Sequence, residues 1–548
     1  MKDFSNEIHA YGLQNALEFG KVDAGRVLPK LFQHGLDKKD IKNVMPDIQK
    51  IVKKINGMSA EERVKAFSEV EHLIKKHEEK EKDLPAIDIK GIKHVVTRMV
   101  PEPSKYAHVG HALTFLINYL YAEKYKGTCV LRLEDANPEK VAKEYADALI
   151  EDIRDYLGIP VKKVHYVSDH MKEFYVCAEK LIKQGNAFMC FCNRERLQEL
   201  RHSGVECECR QFTPEIQLGR WKLFVKGEFA EGEAVLRLKG DMQSANHVMR
   251  DPALFRRIDA KHYRHGTKYK VWPLYDFYNP VEDSLMGVTL ILRSNEFDTR
   301  VELQDRLKEL LGLKKQTVIH YGRFNVADFT TKGREIRELF ESGELKGWDD
   351  PRLITLRALQ RRGIVKEALY ELVKQIGLSK HPVTLEFDMI AALNRKIIDS
   401  SALRYYFVRE PVELGIGKQL EMKSVDVPVH PDKPEQTRAV ALKKLFISKE
   451  DYTANKGKEV RLLHLCNVKL SEKPLITSYD NKKIPRVQWV SDHVPVRVLM
   501  PDGTWTEGVG EKALTKLKKG TLLQFERFGF VRYDQKTKDA YEFWFTHA

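Results

Sequence analysis

At 548 residues the chain is too long for a single hydrophobic core, so three to five domains are expected. Hydrophobic residues make up 42% and charged residues 31%. No apolar run approaches the roughly 18 residues of a membrane span, and MKDFSNEIHA has no apolar leader core, so a cytoplasmic protein without membrane contact is expected. The net charge of +14 favours a polyanionic partner, although many basic proteins bind none.

In chain order, residues 1–85 show apolar positions three or four apart over 6–19, 23–33, 38–55 and 59–77, which predicts short amphipathic helices and no catalytic chemistry. The run KKHEEKEKD, 75–83, has almost nothing to bury and reads as an exposed helix end or linker. From about residue 90 strand and helix signals alternate, as in a doubly wound parallel sheet. A buried strand is predicted over 94–100 and a helix over 112–125. Between them lie Pro101, Pro103, His108, Gly110 and His111. A strand, a tight loop and a helix N-terminus with outward backbone N–H groups suit an anion, and two imidazoles on the first turn suit a nucleoside triphosphate. The plainer alternative is a helix start with two surface histidines.

A second strand is predicted over 128–133, ending on Glu134, Asp135 and Asn137, whose polar groups would face the ligand crevice or close an Asx-turn. A helix over 139–157 and a strand over 165–167 follow. Four of the seven cysteines form two C-x-C pairs, Cys190/Cys192 and Cys207/Cys209, separated by 14 residues. Four thiolates so spaced can hold a structural Zn²⁺, and the alternative of two disulfides is disfavoured in a reducing compartment. Cys129, Cys177 and Cys466 read as core residues.

Residues 268–277 read as an aromatic-rich strand, and 288–292 as a buried strand ending on Arg293, a natural partner for a carboxylate or phosphate. Pairing of Arg293 with Glu282 or Asp283 is the structural alternative. A strand over 317–324 precedes the loop Thr330-Thr331-Lys332-Gly333-Arg334, which has phosphate-binding chemistry but a weak signal, because basic loops are usually just solvated. A helical stretch runs from 347 to about 399. From 401 the pattern is all-β, with strands over 403–412, 459–469, 487–490, 494–499 and 521–533. This segment carries 26 Lys+Arg against 19 Asp+Glu, a net +7 and half the chain's excess. Trp489, Trp505, Phe528 and Phe530 are core residues or stacking platforms for unpaired bases.

Taken in this order and spacing, several blocks resemble the class I glutamyl- and glutaminyl-tRNA synthetase group, in its archaeal-type glutamyl branch. PEPSKYAHVGH (101–111) resembles the HIGH signature; RLEDANPEK (132–140), KVWPLYDF, EDSLMGVT (282–289) and GWDDPRL (347–353) resemble other recurring blocks. The resemblance covers essentially the whole chain. It implies a multidomain α/β protein with a doubly wound parallel-sheet (HUP/Rossmann-like) catalytic core, an N-terminal helical domain, a connecting helical domain and C-terminal antiparallel β-barrels. The implied domains are 1–85, N-terminal helical; 90–187 and 266–346, the two catalytic halves; 188–265, a zinc-binding acceptor-end insertion; 347–400, connecting; and 401–548, anticodon-binding.

The implied activity is ATP-dependent activation of glutamate to its adenylate, then transfer to the terminal adenosine of tRNA(Glu), with tRNA(Gln) open as a second acceptor. ATP, Mg²⁺ and a structural Zn²⁺ are implied, with the enzyme a monomer. His108, His111 and Lys332 would be catalytic, and with Pro101, Gly110 and Arg334 would bind ATP. Gly110 would leave room for adenine. Arg98, Glu102, Asp135, Tyr275 and Arg293 would bind the amino acid, and Cys190, Cys192, Cys207 and Cys209 the metal, Cys209 being the most variable ligand of relatives. The loop at 330–334 stands where the KMSKS signature belongs, but with Gly333 inserted between Lys332 and Arg334. A buried guanidinium at 293 prefers a carboxylate to a neutral amide, which argues for glutamate over glutamine. The competing readings are a glutaminyl-tRNA synthetase and a weakly catalytic tRNA-binding relative.

Overall fold

The computed structural model describes residues 3–74, 83–327 and 329–548 and divides into two compact units, 1–82 and 83–548. In the first, α1 (Ser5–Phe19), α2 (Ala24–Leu31), α3 (Ile41–Asn56) and α4 (Ala60–Val70) enclose a core that includes Ile8, Leu13, Val27, Leu31 and Ile48. Asp23 caps α2, and Ser59 and Glu62 form a capping box on α4. The expected end of the fourth helix, 75–77, and nearly all of the charged run 75–83 lie outside the described residues.

The second unit is built on a parallel sheet. Strands β1 (Val96–Met99), β2 (Thr128–Leu133) and β3 (Val164–Tyr166) pair in that order, with α5 (Val109–Lys124) crossing from β1 to β2 and α6 (Lys143–Glu151) from β2 to β3. After β3 come α7 (Met171–Lys183) and a four-stranded antiparallel sheet, β4 (Ala187–Cys190), β5 (Val235–Leu238), β6 (Ala253–Arg257) and β7 (Val271–Pro273). Helices α8 (Arg194–Ser203) and α9 (Pro214–Lys226) are inserted between β4 and β5. Helix α10 (Tyr275–Leu285) then returns the chain to the parallel sheet as β8 (Leu290–Ser294), and α11 (Val301–Leu311) leads to β9 (Thr317–Tyr321), parallel to β8.

Strand β8 runs beside β1, held by Thr289 N–H on the Val96 carbonyl (3.0 Å) and by Val96 N–H on Thr289 Oγ1 (2.8 Å). The spatial order β3-β2-β1-β8-β9 therefore reverses direction between β1 and β8, and the crevice at the carboxyl ends of these two strands is where such sheets bind ligands. Strand β10 (Phe324–Val326) pairs with β11 (Val383–Leu385), and helices α12 (Gly333–Glu341), α13 (Leu356–Arg362), α14 (Lys366–Ile376) and α15 (Phe387–Ile398) complete this half.

Beyond 400 the chain is β-rich. Seven strands pair in the order Leu403–Tyr405, Leu522–Phe525, Gly529–Lys536, Tyr541–His547, His493–Leu499, Trp505–Glu511 and Phe407–Arg409. The two edge strands are consecutive in sequence, so the sheet nearly closes on itself, with Tyr406 N–H donating to Glu511 Oε1 (2.6 Å) at the seam. Three smaller sheets surround a separate core that includes Ile416, Leu445, Val460, Val468 and Trp489.

Several predicted elements are corrected. The helix expected from 139 begins at Lys143, because Asn137 closes a turn on Lys140 and Ala142 N–H is taken by the Pro103 carbonyl; it ends in a π-helical turn, Asp152–Tyr156. The strand expected over 268–277 shrinks to Val271–Pro273: Pro273 cannot donate to a further ladder, and Tyr275 opens a helix instead. The strand over 317–324 breaks at Gly322, where a Cβ would sit 2.0 Å from the His381 carbonyl oxygen. The segments 459–469 and 521–533 are hairpins, turned at His464 (φ 58°) and Arg527 (φ 60°), and 347–355 is a turn before α13. Trp489 is buried in the core of the smaller sheets and Phe530 is buried against Ile398 and Ala402, whereas Trp505 is 38% exposed beneath the Arg497 guanidinium.

Candidate active site

The β1–α5 loop positions the two histidines through a reciprocal cap. His108 is the N-cap of α5; its Nδ1 accepts the Gly110 N–H, and His111 Nδ1 accepts the His108 N–H, both at 3.1 Å. A Cβ at Gly110 would lie 3.0 Å from His108 Cε1, so glycine here makes room for the folded-back imidazole. With both Nδ1 atoms accepting, the neutral rings carry their protons on Nε2, free to donate. Burial, the neighbouring ring and Lys105 hold His108 well below the usual range, and burial with Lys105 pushes His111 down to about 3. Both are neutral donors at pH 7.

The expectation of free backbone N–H groups at this helix start is not met. Val109 N–H donates to the Ile354 carbonyl (3.2 Å), Gly110 N–H to His108, and His111 N–H to the His108 carbonyl (2.9 Å). Segment 354–356 straps the turn, since Leu356 N–H also donates to the Ala107 carbonyl. Anion recognition here therefore passes to side chains.

At the reversal point lies a buried ionic cluster. Arg98, on β1, donates from Nε to Asp283 Oδ1 (3.3 Å), and Arg132, on β2, from Nη1 to the same oxygen (2.8 Å) and from Nη2 to Glu134 Oε1 (3.0 Å). Burial raises the Asp283 carboxyl, but the two guanidiniums outweigh it and hold it below its ordinary value. Tyr278 and Asn279, on α10, also donate to Glu134. Burial and the Glu134 charge push the Tyr275 hydroxyl up to about 12.

Arg293, at the end of β8, is 5% exposed and meets neutral partners: Nη1 donates to Gln304 Oε1 (2.9 Å) and Nε to His320 Nε2 (3.3 Å). The alternative pairing with Glu282 or Asp283 is excluded, since Glu282 binds His170 (2.8 Å) and Asp283 binds the other two arginines. The Nη2 atoms of both Arg98 and Arg293 are buried without a hydrogen-bond partner among the described residues. Two guanidiniums with open donors beside Tyr275, and a carboxylate at Glu134, can receive a carboxylate and an ammonium.

Two expected substrate ligands stand apart. Asp135 turns to the opposite face from Glu134: its Oδ1 accepts the Ser168 N–H (2.8 Å), its Oδ2 the Ser168 hydroxyl (2.7 Å), and Tyr263 lies at 3.4 Å. Its carboxylate braces the segment after β3 and is committed to protein donors, with burial pushing it up to about 6. Glu102 is exposed and accepts the Ser104 hydroxyl. Pro101 is buried, and its carbonyl accepts the Glu134 N–H (2.9 Å). Asn279 and Gln304 have no counterpart in the sequence reading; that reading points Glu134 and Asp135 alike toward the crevice, whereas strand alternation puts Glu134 on the face of Arg132 and opposite Asp135.

In the 330–334 loop, Lys332 is the N-cap residue of α12; its ammonium binds Glu335 (2.7 Å) and is 78% exposed. Arg334 binds Glu338 (2.9 Å) and is 88% exposed. Neither cation is brought to the imidazoles. The four sulfur atoms of Cys190, Cys192, Cys207 and Cys209 lie within 4.8 Å of one another, Cys190 and Cys207 being 4.0 Å apart. Phe191 N–H points at Cys209 Sγ (3.5 Å). Tetrahedral Zn–S bonds of about 2.3 Å imply sulfur separations of about 3.8 Å, so the cluster fits zinc with a small contraction.

Comparison with known proteins agrees with this geometry. Residues 94–400 match the family described as tRNA synthetases class I (E and Q), catalytic domain, and 402–483 and 486–534 match its two anticodon-binding domain families. The glutamate–tRNA ligase of Pyrococcus furiosus is 36% identical over 96% of this chain and 97% of its own, and that of Methanocaldococcus jannaschii is 37% identical over 98% of each. The glutamate–tRNA ligase of Korarchaeum cryptofilum is likewise 37% identical over 98% of each chain. With its sheet order, its paired imidazoles and near-full-length relatives in agreement, the chain belongs to the class I (E and Q) tRNA synthetases.

Proposed function

We propose that this chain is a glutamate–tRNA ligase that forms glutamyl-adenylate from glutamate and ATP and transfers the glutamyl group to the 3′-terminal adenosine of tRNA(Glu). One observation carries the choice of glutamate: Arg293 is buried with neutral partners and an open Nη2, which a carboxylate satisfies and an amide does not. Arg293 takes the side-chain carboxylate, Arg98 helps orient the α-carboxylate, Glu134 receives the ammonium, and Tyr275 packs alongside.

In the first step a glutamate α-carboxylate oxygen attacks the α-phosphorus of ATP, and the bond to the bridging oxygen of pyrophosphate breaks. The Nε2–H groups of His108 and His111 donate to phosphate oxygens as charge builds on them, with Lys332 and Arg334 closing on the triphosphate from the 330–334 loop. Mg²⁺ carried by the nucleotide neutralises part of the triphosphate charge. In the second step a ribose hydroxyl of the terminal adenosine attacks the activated carbonyl and AMP departs. Residues 1–85 form an accessory domain, 188–265 receives the acceptor end around a structural Zn²⁺, 347–400 connects, and the basic segment 401–548 reads the anticodon. The reaction belongs in the cytoplasm, with the enzyme acting as a monomer.

Aminoacylation of unfractionated tRNA with labelled glutamate and, separately, labelled glutamine tests this reading. Glutamate alone is the expected result; purified tRNA(Glu) and tRNA(Gln) then identify the acceptors. Glutamine alone would overturn the role of Arg293, and charging with neither would favour a tRNA-binding relative.

A further inference from the structure

Every backbone N–H at the start of α5 already has a protein acceptor, and Lys332 and Arg334 are turned outward onto Glu335 and Glu338. The cation whose charge both imidazoles feel lies on the signature loop itself. Lys105, three residues before His108, is half-buried and makes no ion pair among the described residues. Its Nζ donates to the Thr331 carbonyl at 2.9 Å, across to the phosphate loop, and its stem packs on Gly333, where a Cβ would lie 3.3 Å from Lys105 Cδ. Arg337 ties the same two segments by donating to the Ser104 carbonyl (3.4 Å). An ammonium has three donors, so two remain after Thr331.

We propose that Lys105 is a catalytic residue of the first half-reaction, binding the β- and γ-phosphates of ATP beside the paired imidazoles while its bond to Thr331 holds the 330–334 loop against them. This rests on the ligase reading above for the identity of the reaction, though not for the binding of a triphosphate. Burial keeps the ammonium weakly hydrated, and a phosphate oxygen replaces the missing water. A fixed cation on the signature loop complements an irregular phosphate loop: Gly333 lacks the side chain that a further basic residue would supply, and leaves the space the lysine stem occupies. Pyrophosphate then departs toward a positive charge already in place, without reorganisation.

Two variants separate the charge from the packing. Lys105→Met keeps the stem against Gly333 and removes the ammonium; Lys105→Arg keeps the charge. ATP affinity is measured by calorimetry without amino acid, and kcat and KM by glutamate-dependent ATP–pyrophosphate exchange in the presence of tRNA. Lys105→Met is expected to weaken ATP binding roughly 10-fold or more and to lower kcat about 100-fold, with the glutamate KM little changed and Lys105→Arg recovering most of both. ATP affinity in Lys105→Met within about twofold of the parent, or equal impairment of both variants, would overturn the proposal. A parent protein that binds ATP through Lys105 yet exchanges nothing with glutamate would leave Lys105 as a triphosphate ligand and sink the ligase reading, and with it the catalytic part of the assignment.

Discussion

Arg293 donates to Gln304 Oε1 at 2.9 Å, so a guanidinium 5% exposed is held by an amide and not by a carboxylate. Its positive charge is therefore left for a ligand. Gln304→Glu places an anion on the same atom and competes with the substrate carboxylate, so the glutamate KM should rise about 10-fold or more, equivalent to roughly 1.4 kcal/mol. Arg293→Ala should raise it further while ATP binding stays near the parent value. Steady-state exchange kinetics over a glutamate series check both, and an unchanged KM in Arg293→Ala would remove it from the amino-acid site.

The reciprocal cap allows the chemistry of the histidines to be separated from their structural role. Asn is a strong N-cap residue, and Gln three positions later completes an ordinary capping box. His108→Asn and His111→Gln should thus keep α5 capped but lose the Nε2–H donors. The expected result is a kcat lower by about 10²- to 10³-fold per substitution, with an unfolding midpoint close to the parent's. Parallel exchange kinetics and thermal melts decide; a collapse of the melt with the activity would mean that capping dominates.

The same ring makes the fold acid-sensitive. Burial and Lys105 bring His111 down to about 3, against about 6.5 in the unfolded chain. Between those values the unfolded state binds the extra proton, so stability is full above pH 6.5 and falls as the pH drops below it. The slope approaches 1.4 kcal/mol per pH unit for one fully coupled group. Melting temperature recorded from pH 7.5 to 5 should fall for the parent and less steeply for His111→Gln.

The parts of this molecule that were legible in the sequence are those with one strong local cause. Strand 128–133 and the helix expected over 112–125, which spans 109–124, follow from hydrophobic period, and the four cysteines from spacing alone. The turns at His464 and Arg527 were missed because neither residue advertises a positive φ, so two hairpins were read as single strands. At the site, Arg293 is legible from its place at a strand end and Arg98 and Tyr275 through motif resemblance, but Glu134 and Gln304 gain their roles because α10 and α11 bring partners from far along the chain. Asp135 shows the limit most plainly: adjacent to Glu134 in sequence, it faces Ser168 and the 262–266 turn on the other side of the strand end.

Asp283 links two guanidiniums from neighbouring strands, Arg98 and Arg132, through one oxygen, and all three side chains are almost wholly removed from water. Removing that anion leaves two buried cations, offset by Glu134 on Arg132 and at longer range by Glu282. Asp283→Asn should therefore cost about 3–5 kcal/mol in the catalytic core, even though the amide is nearly isosteric. Amide hydrogen exchange resolved by segment is the suitable measurement, with protection falling in β1, β2 and α10 and little affected beyond 401. A uniform loss of protection would mean that the unit unfolds as one cooperative block.

The cysteine cluster makes a prediction that does not depend on catalysis. Four thiols within 4.8 Å, on the end of β4 and on the turn after α8, close a segment whose own apolar core is small: Phe188, Leu200 and Leu197 with the cysteines themselves. Metal binding would then supply much of the local folding energy. Elemental analysis should find one zinc per chain, and Cys190→Ser should lower that content. Chelation should expose 188–212 to protease while the parallel sheet stays protected, because the cores around β1 and around the cysteines are separate clusters. Full zinc occupancy in Cys190→Ser would take that thiol out of the ligand set, and a protease-resistant segment after chelation would mean that Phe188 and Leu200 hold it closed without the metal.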